Sequence, residues 1–289
     1  MSRPVLGFVG AGKVGKVLAR LWHEAGYEVV AICSRTPASA AVLANQVNAR
    51  VVLQPLEVIR TADLTFLTVP DDAIGAVVQS ASGTALRGKA VVHVSGAHDA
   101  HILTPLQEQG ASIGSLHPAF AFADVESALR GLPGSTFALE ADDEVLRGWL
   151  RELVEAVHGR VLDIPRGGKA QYHAALVMLS NYTVTLYSLA ERLLSSLGAD
   201  QQAVDGALNA LLESVQHNLR YTGLPWALTG PLTRADAGTI RLHLAVLKQA
   251  DPDLSDLYIK LARQTYPILE ARGVNTAFIE KTLQQDEIP

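Results

Sequence analysis

Three glycines near the start of the chain limit its fold more than any other feature. In GFVGAGKVGKVLARL, Gly10, Gly12 and Gly15 stand at G-x-G-x-x-G spacing, with Lys13 and Val14 between the last two. The run before them, PVLGFV (4–9), reads as a buried strand. Residues 13–25 read as a helix closed by Gly26. A strand, a glycine turn and a helix in that order open a dinucleotide-binding sheet. The first glycine permits the tight turn, and the second lets the backbone approach a pyrophosphate. The third allows close helix–strand packing, and the helix N-terminus faces the phosphates. Glycines serving turns alone are the alternative, and the strand-before, helix-after context argues against it.

The pattern continues for half the chain. EVVAIC (28–33), ARVVL (49–53), DLTFLTV (63–69), KAVVHVS (89–95) and ASIGSL (111–116) read as strands, with helical segments between most of them. STFALE (135–140) and GRVLDI (159–164) flank a further helix and extend the sheet. Such alternation predicts an α/β fold, a doubly wound parallel sheet with helices on both faces. After Ile164 the pattern changes. Pro165, Gly167 and Gly168 form a joint, and only helices follow, over 169–197, about 200–220, about 234–250 and 253–271, with a short tail. The expected organisation is a nucleotide-binding domain over 1–164 and a helical domain over 165–289.

Composition narrows the function. The chain has 289 residues, 48% apolar and 18% charged, enough for a sizeable core. A net charge of −5 argues against nucleic-acid and anionic-membrane partners. Cys33 is the only cysteine, so neither a disulfide framework nor a cysteine zinc cluster is available, which fits a cytoplasmic protein. The N-terminal segment lacks a signal-peptide layout, and no apolar run reaches membrane-spanning length.

The second strand ends in CSRTPAS. A site for NAD usually places Asp or Glu here, on the ribose hydroxyls. This chain offers Ser34, Arg35 and Thr36, whose guanidinium and hydroxyls suit a phosphate, so NADP is expected over NAD. A solvated surface arginine is the alternative. Val69 and Pro70 end the fourth strand and are expected to border the cofactor. Asp71 is read as a helix cap.

Candidate chemistry lies at the carboxyl ends of later strands. HVSGAHDAH (93–101) supplies Ser95, with His98 and His101 read as exposed helix residues. SLHPAFAF (115–122) supplies His117. Ser95 and His117 are candidate substrate contacts; a helix cap and a structural histidine are the alternatives. No paired carboxylates accompany the histidines, so no metal site is expected. In GGKAQYHAALVMLSNYTVTLYSLAERLL, Lys169, His173 and Ser180 share a narrow stripe of an ideal helix, with Asn181 to its side. A lysine in the first turn opposes the helix dipole. That dipole, Arg166 and burial would each lower its proton affinity toward that of a useful acid. In ALTGPLTRAD, Thr229 and Arg234 are candidate substrate contacts, with Arg234 as a carboxylate clamp and Asp236 as a possible N-cap.

Together GAGKVG, SRT, VPDD, HVSG, GSLHPAFAF, GGKAQYHAA…SNY and ALTGPLTRAD resemble the β-hydroxyacid dehydrogenase-like superfamily, over nearly the full length. The closest likeness is to a branch of NADP oxidoreductases with a Rossmann-like domain and a C-terminal helical domain of unknown function. The resemblance implies a Rossmann-type sheet followed by an all-α dimerisation domain like that of 6-phosphogluconate dehydrogenase. It also implies a catalytic lysine at Lys169. The superfamily commonly places asparagine four residues on, where this chain has His173, so the amide role passes to Asn181.

The expected function is NADPH-dependent reduction of a small carbonyl acid resembling 2-dehydropantoate. Lys169 donates the proton, His173 supports it, and Asn181, Thr229 and Arg234 position the substrate. An imine reductase, a deazaflavin-coupled reductase and a non-catalytic NADP-binding regulatory protein are the alternatives. The helical segments are apolar on more than one face, which predicts a homodimer.

Overall fold

The computed structural model describes residues 3–284. Short apolar runs form β1 (Leu6–Val9), β2 (Val29–Cys33), β3 (Arg50–Val51), β4 (Leu64–Leu67), β5 (Ala90–His93), β6 (Ser112–Pro118), β7 (Thr136–Ala141) and β8 (Arg160–Asp163). Between them lie α1 (Lys13–Glu24), α2 (Pro37–Gln46), α3 (Pro55–Thr61), α4 (Asp71–Ser80), α5 (Thr104–Gln107), α6 (Val125–Gly131) and α7 (Glu144–Ala156). They build one eight-stranded sheet in the order β3-β2-β1-β4-β5-β6-β7-β8.

Each face of the sheet carries its own core. On one, Val17, Leu18 and Trp22 of α1 meet Phe8, Phe66 and Leu116. The rings of Phe8, Trp22 and Phe66 pack with centroids 4.6–6.1 Å apart. The Trp22 indole also donates to the Leu153 carbonyl at 2.9 Å, which satisfies its one polar atom. On the other face Val9, Leu67 and Val91 pack against Val58, Ile74 and Leu103. Burying each large side chain contributes about 1.5–3 kcal/mol.

The sheet is not wholly parallel, as its alternating pattern led one to expect. β7 pairs antiparallel with β6, Phe137 lying opposite Pro118 and Ala141 opposite Gly114, and β8 runs parallel to β7. A parallel crossover must carry the chain back along the whole of β6, about 23 Å for seven residues. The one helix between these strands, α6, has seven residues and spans only about 10 Å. The chain therefore re-enters the sheet near the end it left.

α8 (Lys169–Ser195) and α9 (Gln201–Tyr221) follow, then α10 (Ala237–Ala250), α11 (Pro252–Gln264), α12 (Tyr266–Glu270) and α13 (Thr276–Gln284). The expected single helix over 253–271 breaks at Thr265, just before Pro267, whose ring and missing N–H interrupt a helical ladder. The expected short tail forms α13. The chain makes two compact units, Met1–Val184 and Thr185–Pro289, whose boundary falls within α8. The second unit has its own core of Ile240, Leu244, Ile259, Leu269, Ile279 and Leu283. Among the described residues no helix is long and apolar enough to cross a membrane.

Candidate active site

The glycine loop has the geometry its spacing predicts. Gly10 has φ +112°, and a Cβ there would lie 2.6 Å from the Thr68 backbone. A Cβ on Gly15 would lie 2.5 Å from the Gly10 carbonyl, so the third glycine seats α1 against the turn. The Thr68 hydroxyl donates to that same carbonyl at 2.8 Å. Gly12 differs, since a Cβ there would meet nothing within 4 Å. Nothing in the protein itself requires glycine at that position, and its backbone is left open to a ligand at the N-terminus of α1.

Gly10, Gly12, Ser34, Arg35, Thr36, Val69 and Pro70 line one cleft of about 590 Å³. Of the five loop residues expected to hold the cofactor, Gly10, Gly12, Lys13, Val14 and Gly15, it is lined by two, Gly10 and Gly12. Lys13 donates instead to the Ala123 carbonyl at 2.6 Å, and Val14 packs against the core beside α1. Ser34, Arg35 and Thr36 bring two hydroxyls and a guanidinium to the cleft, with Ser39 nearby and no acidic side chain in its lining.

Asp71 opens α4 without capping it, since its carboxylate accepts the Ser95 hydroxyl at 2.7 Å. Ser95 Oγ in turn accepts the amides of Ala97 and His98. Ser95 thus braces the turn after β5, which is a bend rather than the helix expected there. His98 lies exposed in that bend, and His101 lies exposed in a single 3-10 turn.

Lys169, Tyr172, His173 and His117 form the centre of the site. The Tyr172 hydroxyl lies 2.9 Å from His117 Nδ1. The His117 and His173 rings meet edge-on with centroids 6.0 Å apart. Both rest on Gly96, where a Cβ would lie 2.4 Å from His173 Nδ1 and 2.9 Å from His117 Nε2. Lys169 is 0% exposed, its ammonium 5.5 Å from the Tyr172 ring centroid. Neither Lys169 Nζ nor His173 Nδ1 has a hydrogen-bond partner among the described residues.

Burial brings Lys169 down to about 8, against the opposing pull of the Glu140, Asp99 and Asp71 carboxylates. Arg166, expected to help, instead pairs with Asp142. Burial and the Lys169 ammonium hold His117 down to about 3 and His93 to about 4. Burial raises Tyr172 to about 12, so its phenol stays protonated. His93 Nδ1 accepts the Ser95 amide, which places its proton on Nε2, donated to the Asp99 carbonyl.

Asn181 is not part of this cluster. α8 is continuous, so the residue lies about 18 Å along the axis from Lys169. Thr229 and Arg234 belong to the second unit, where both are exposed around a 3-10 turn over Pro231–Arg234. Asp236 caps α10, accepting the Thr239 amide at 3.1 Å. Among the described residues no group of three or more His, Cys, Asp or Glu side chains is placed to hold a metal ion.

His93, Glu140 and Tyr172 escaped the reading of the sequence. Tyr172 carried a signal, since it stands three residues from Lys169 and so on the same side of a helix. Glu140 is the one acid within the apolar run STFALEA.

Comparison with known proteins agrees with this architecture. Residues 1–118 match the Rossmann-like domain family, and residues 135–265 match DUF2520, a domain of unknown function. The chain thus joins the two domains of the branch that its motifs resemble. Protein TM1727 of Thermotoga maritima is 25% identical, with 93% of this chain and 99% of that one covered and a TM-score of 0.75. BF3122 of Bacteroides fragilis, described as an NADP oxidoreductase, is 24% identical, covering 92% and 98% with a TM-score of 0.71. An imine reductase from a Pseudomonas species is 17% identical, covering 98% and 100% with a TM-score of 0.67. No curated protein matches the chain.

Proposed function

We propose that the protein is an NADPH-dependent reductase of a small carbonyl acid, 2-dehydropantoate-like, in which Lys169 is the proton source. One observation carries the reading. Lys169 is a fully buried ammonium brought down to about 8, in the same compact unit as the glycine-loop cleft. A group of that affinity still holds its proton at neutral pH and gives it up far more readily than an ordinary lysine.

The cofactor fits the residues present. The open backbone at Gly12 and the first turn of α1 suit a pyrophosphate. Arg35, with Ser34 and Thr36, suits the additional phosphate that distinguishes NADP from NAD. NADPH, when bound, supplies the hydride. The chain's own part is to hold the substrate and deliver a proton to the oxygen that becomes the alcohol. Lys169 donates that proton, and His173, half-buried one turn further along α8, supports it. Tyr172 fixes the His117 ring beside it. The solved structures of imine reductases and of a reductive aminase with NADPH support the cofactor and the reaction class through likeness of fold. An imine substrate would use the same groups while demanding less of the acid.

A homodimer belongs to the same reading. Leu186, Leu197, Leu242, Val246 and Leu261 are exposed and line an apolar groove of about 550 Å³ in the second unit. A second copy of the chain would cover such a surface. A monomer by solution scattering at micromolar concentration would contradict this.

The test follows NADPH absorbance with a panel of small 2-oxo acids and a cyclic imine. Saturable oxidation with one acid is expected, declining as pH rises through about 8. Lys169→Ala should keep NADPH binding and lose at least about 100-fold in turnover. Unchanged turnover in that variant removes Lys169 from the reaction. Tight NADPH binding with no oxidation of any compound counts against the reductase.

A further inference from the structure

A proton given up by Lys169 has to be replaced after each turnover, yet Nζ has no contact with solvent. Behind it, three adjacent strands present polar side chains at one level. His93 of β5 pairs in register with Ser115 of β6, and Ser115 with Glu140 of β7. Residues paired in this way project to the same face of a sheet. His93 and Ser115 are fully buried, and Glu140 is 5% exposed.

This row and the residues around it hold more polar atoms than they satisfy. Ser115 Oγ, Asp99 Oδ1 and Lys169 Nζ are all buried without a hydrogen-bond partner among the described residues. Leaving each one so costs about 1–3 kcal/mol. Glu140 stands where the row comes nearest to the surface. Its Oε2 accepts the Ala100 amide at 2.9 Å. The same side chain lines a cavity of about 10 Å³ together with Ala100, His101, Asp142 and Arg166. That volume is at the lower limit for one water molecule. Asp142 and Arg166 are paired and more than half exposed, so the cavity lies directly beneath a surface ion pair.

We infer that Glu140 is a proton-relay residue that reloads Lys169 from solvent through this cavity. The inference rests on the reading of Lys169 as the proton source. In the step, the Glu140 carboxyl gives its O–H proton across one water to the lone pair of the neutral Lys169 amine. A carboxylate and an ammonium result. The carboxylate then takes a proton from water in the cavity. No electrons move, and one solvent proton enters per turnover.

The neighbouring groups fit this assignment. Burial raises the proton affinity of Glu140 and lowers that of Lys169, so the two approach each other from an ordinary gap of about six pH units. His93 has both ring nitrogens engaged and stays neutral. Asp71 is occupied by Ser95, and His117 is bonded to Tyr172. Asp99, the remaining carboxylate facing Lys169, does not line the cavity.

The test reads proton exchange between the Lys169 ammonium and water by NMR, in full-length protein labelled with 15N-lysine and without substrate. Lys169→Arg identifies the signal. Exchange should slow at least about 10-fold in Glu140→Gln and recover in Glu140→Asp. An unchanged or faster rate in Glu140→Gln overturns the inference. If that variant does not fold, Arg166→Ala decides, since removing the roof of the cavity should speed exchange and an unchanged rate overturns the relay. Because exchange is measured without substrate, a protein that oxidises no NADPH yet shows the expected pattern would lose the reductase reading and keep the relay.

Discussion

The hydroxyl of Tyr172 on α8 and Nδ1 of His117 on β6 lie 2.9 Å apart. With its phenol raised to about 12, Tyr172 donates, and the neutral His117 carries its own proton on Nε2. Tyr172→Phe removes that donor and frees the ring to turn. Turnover should fall about 10-fold, with stability lower by about 0.5–1.5 kcal/mol. NADPH oxidation and urea unfolding measure the two. Wild-type turnover in the Phe variant would leave the hydrogen bond a purely structural role.

Gly96 is the floor on which both imidazoles rest. A methyl group there would stand 2.4 Å from His173 Nδ1, well inside contact distance, so the rings must move. Gly96→Ala should bind NADPH as the wild type does but lose most turnover, with stability reduced by about 1–3 kcal/mol. Cofactor titration beside a turnover assay separates these effects. Weakened NADPH binding as the main result would point to damage in the cleft instead.

Arg35 governs the choice between the two nicotinamide cofactors if its guanidinium meets a phosphate. Removing one charged hydrogen-bonding partner costs about 1.5–3 kcal/mol. Arg35→Ala should therefore weaken NADP binding by roughly 10- to 100-fold while leaving NAD binding little changed. Calorimetric titration of both nucleotides checks this, and equal losses for the two would exclude a phosphate contact.

His93 makes the fold sensitive to acid. Its folded-state affinity, about 4, lies below the ordinary histidine value of 6.5, so between those pH values the unfolded chain binds the extra proton. Stability should then fall as pH drops through this window, by up to about 1.4 kcal/mol per pH unit for a whole proton. Glu140 acts in the opposite sense, since a raised carboxyl takes up its proton first in the folded state. His93→Asn should flatten the decline between pH 6.5 and 4 in urea unfolding. A slope equal to that of the wild type would mean that other groups set it.

Strand positions were legible because buried strands must be apolar whatever their direction. For the same reason the reversal of β7 and β8 was not, since Phe137 and Leu139 are buried whichever way the strand runs. Lys169, His173 and His117 were readable as polar residues at a helix start and a strand end, and they do come together. Asn181 shows the limit of helical periodicity, which gives an angle around the axis but ignores the distance along it. Asp71 looked like a cap because acids favour helix starts, whereas the Ser95 hydroxyl from the turn after β5 competes for it. Glu140 falls inside an apolar strand, and only the pairing of β7 with β6 shows what faces it.

The antiparallel seam between β6 and β7 makes the carboxylate opposite Ser115 a matter of register. Side chains alternate faces along a strand, so slipping this pairing by one residue would turn Glu140 to the far side of the sheet and offer Leu139 or Ala141 in its place. The loop and helix spanning 119–135 could be lengthened or shortened in related chains at small cost, provided the two strands met at the same rung. The ionisable chemistry behind Lys169 is therefore tolerant of insertions between the strands and intolerant of a single added residue within either of them.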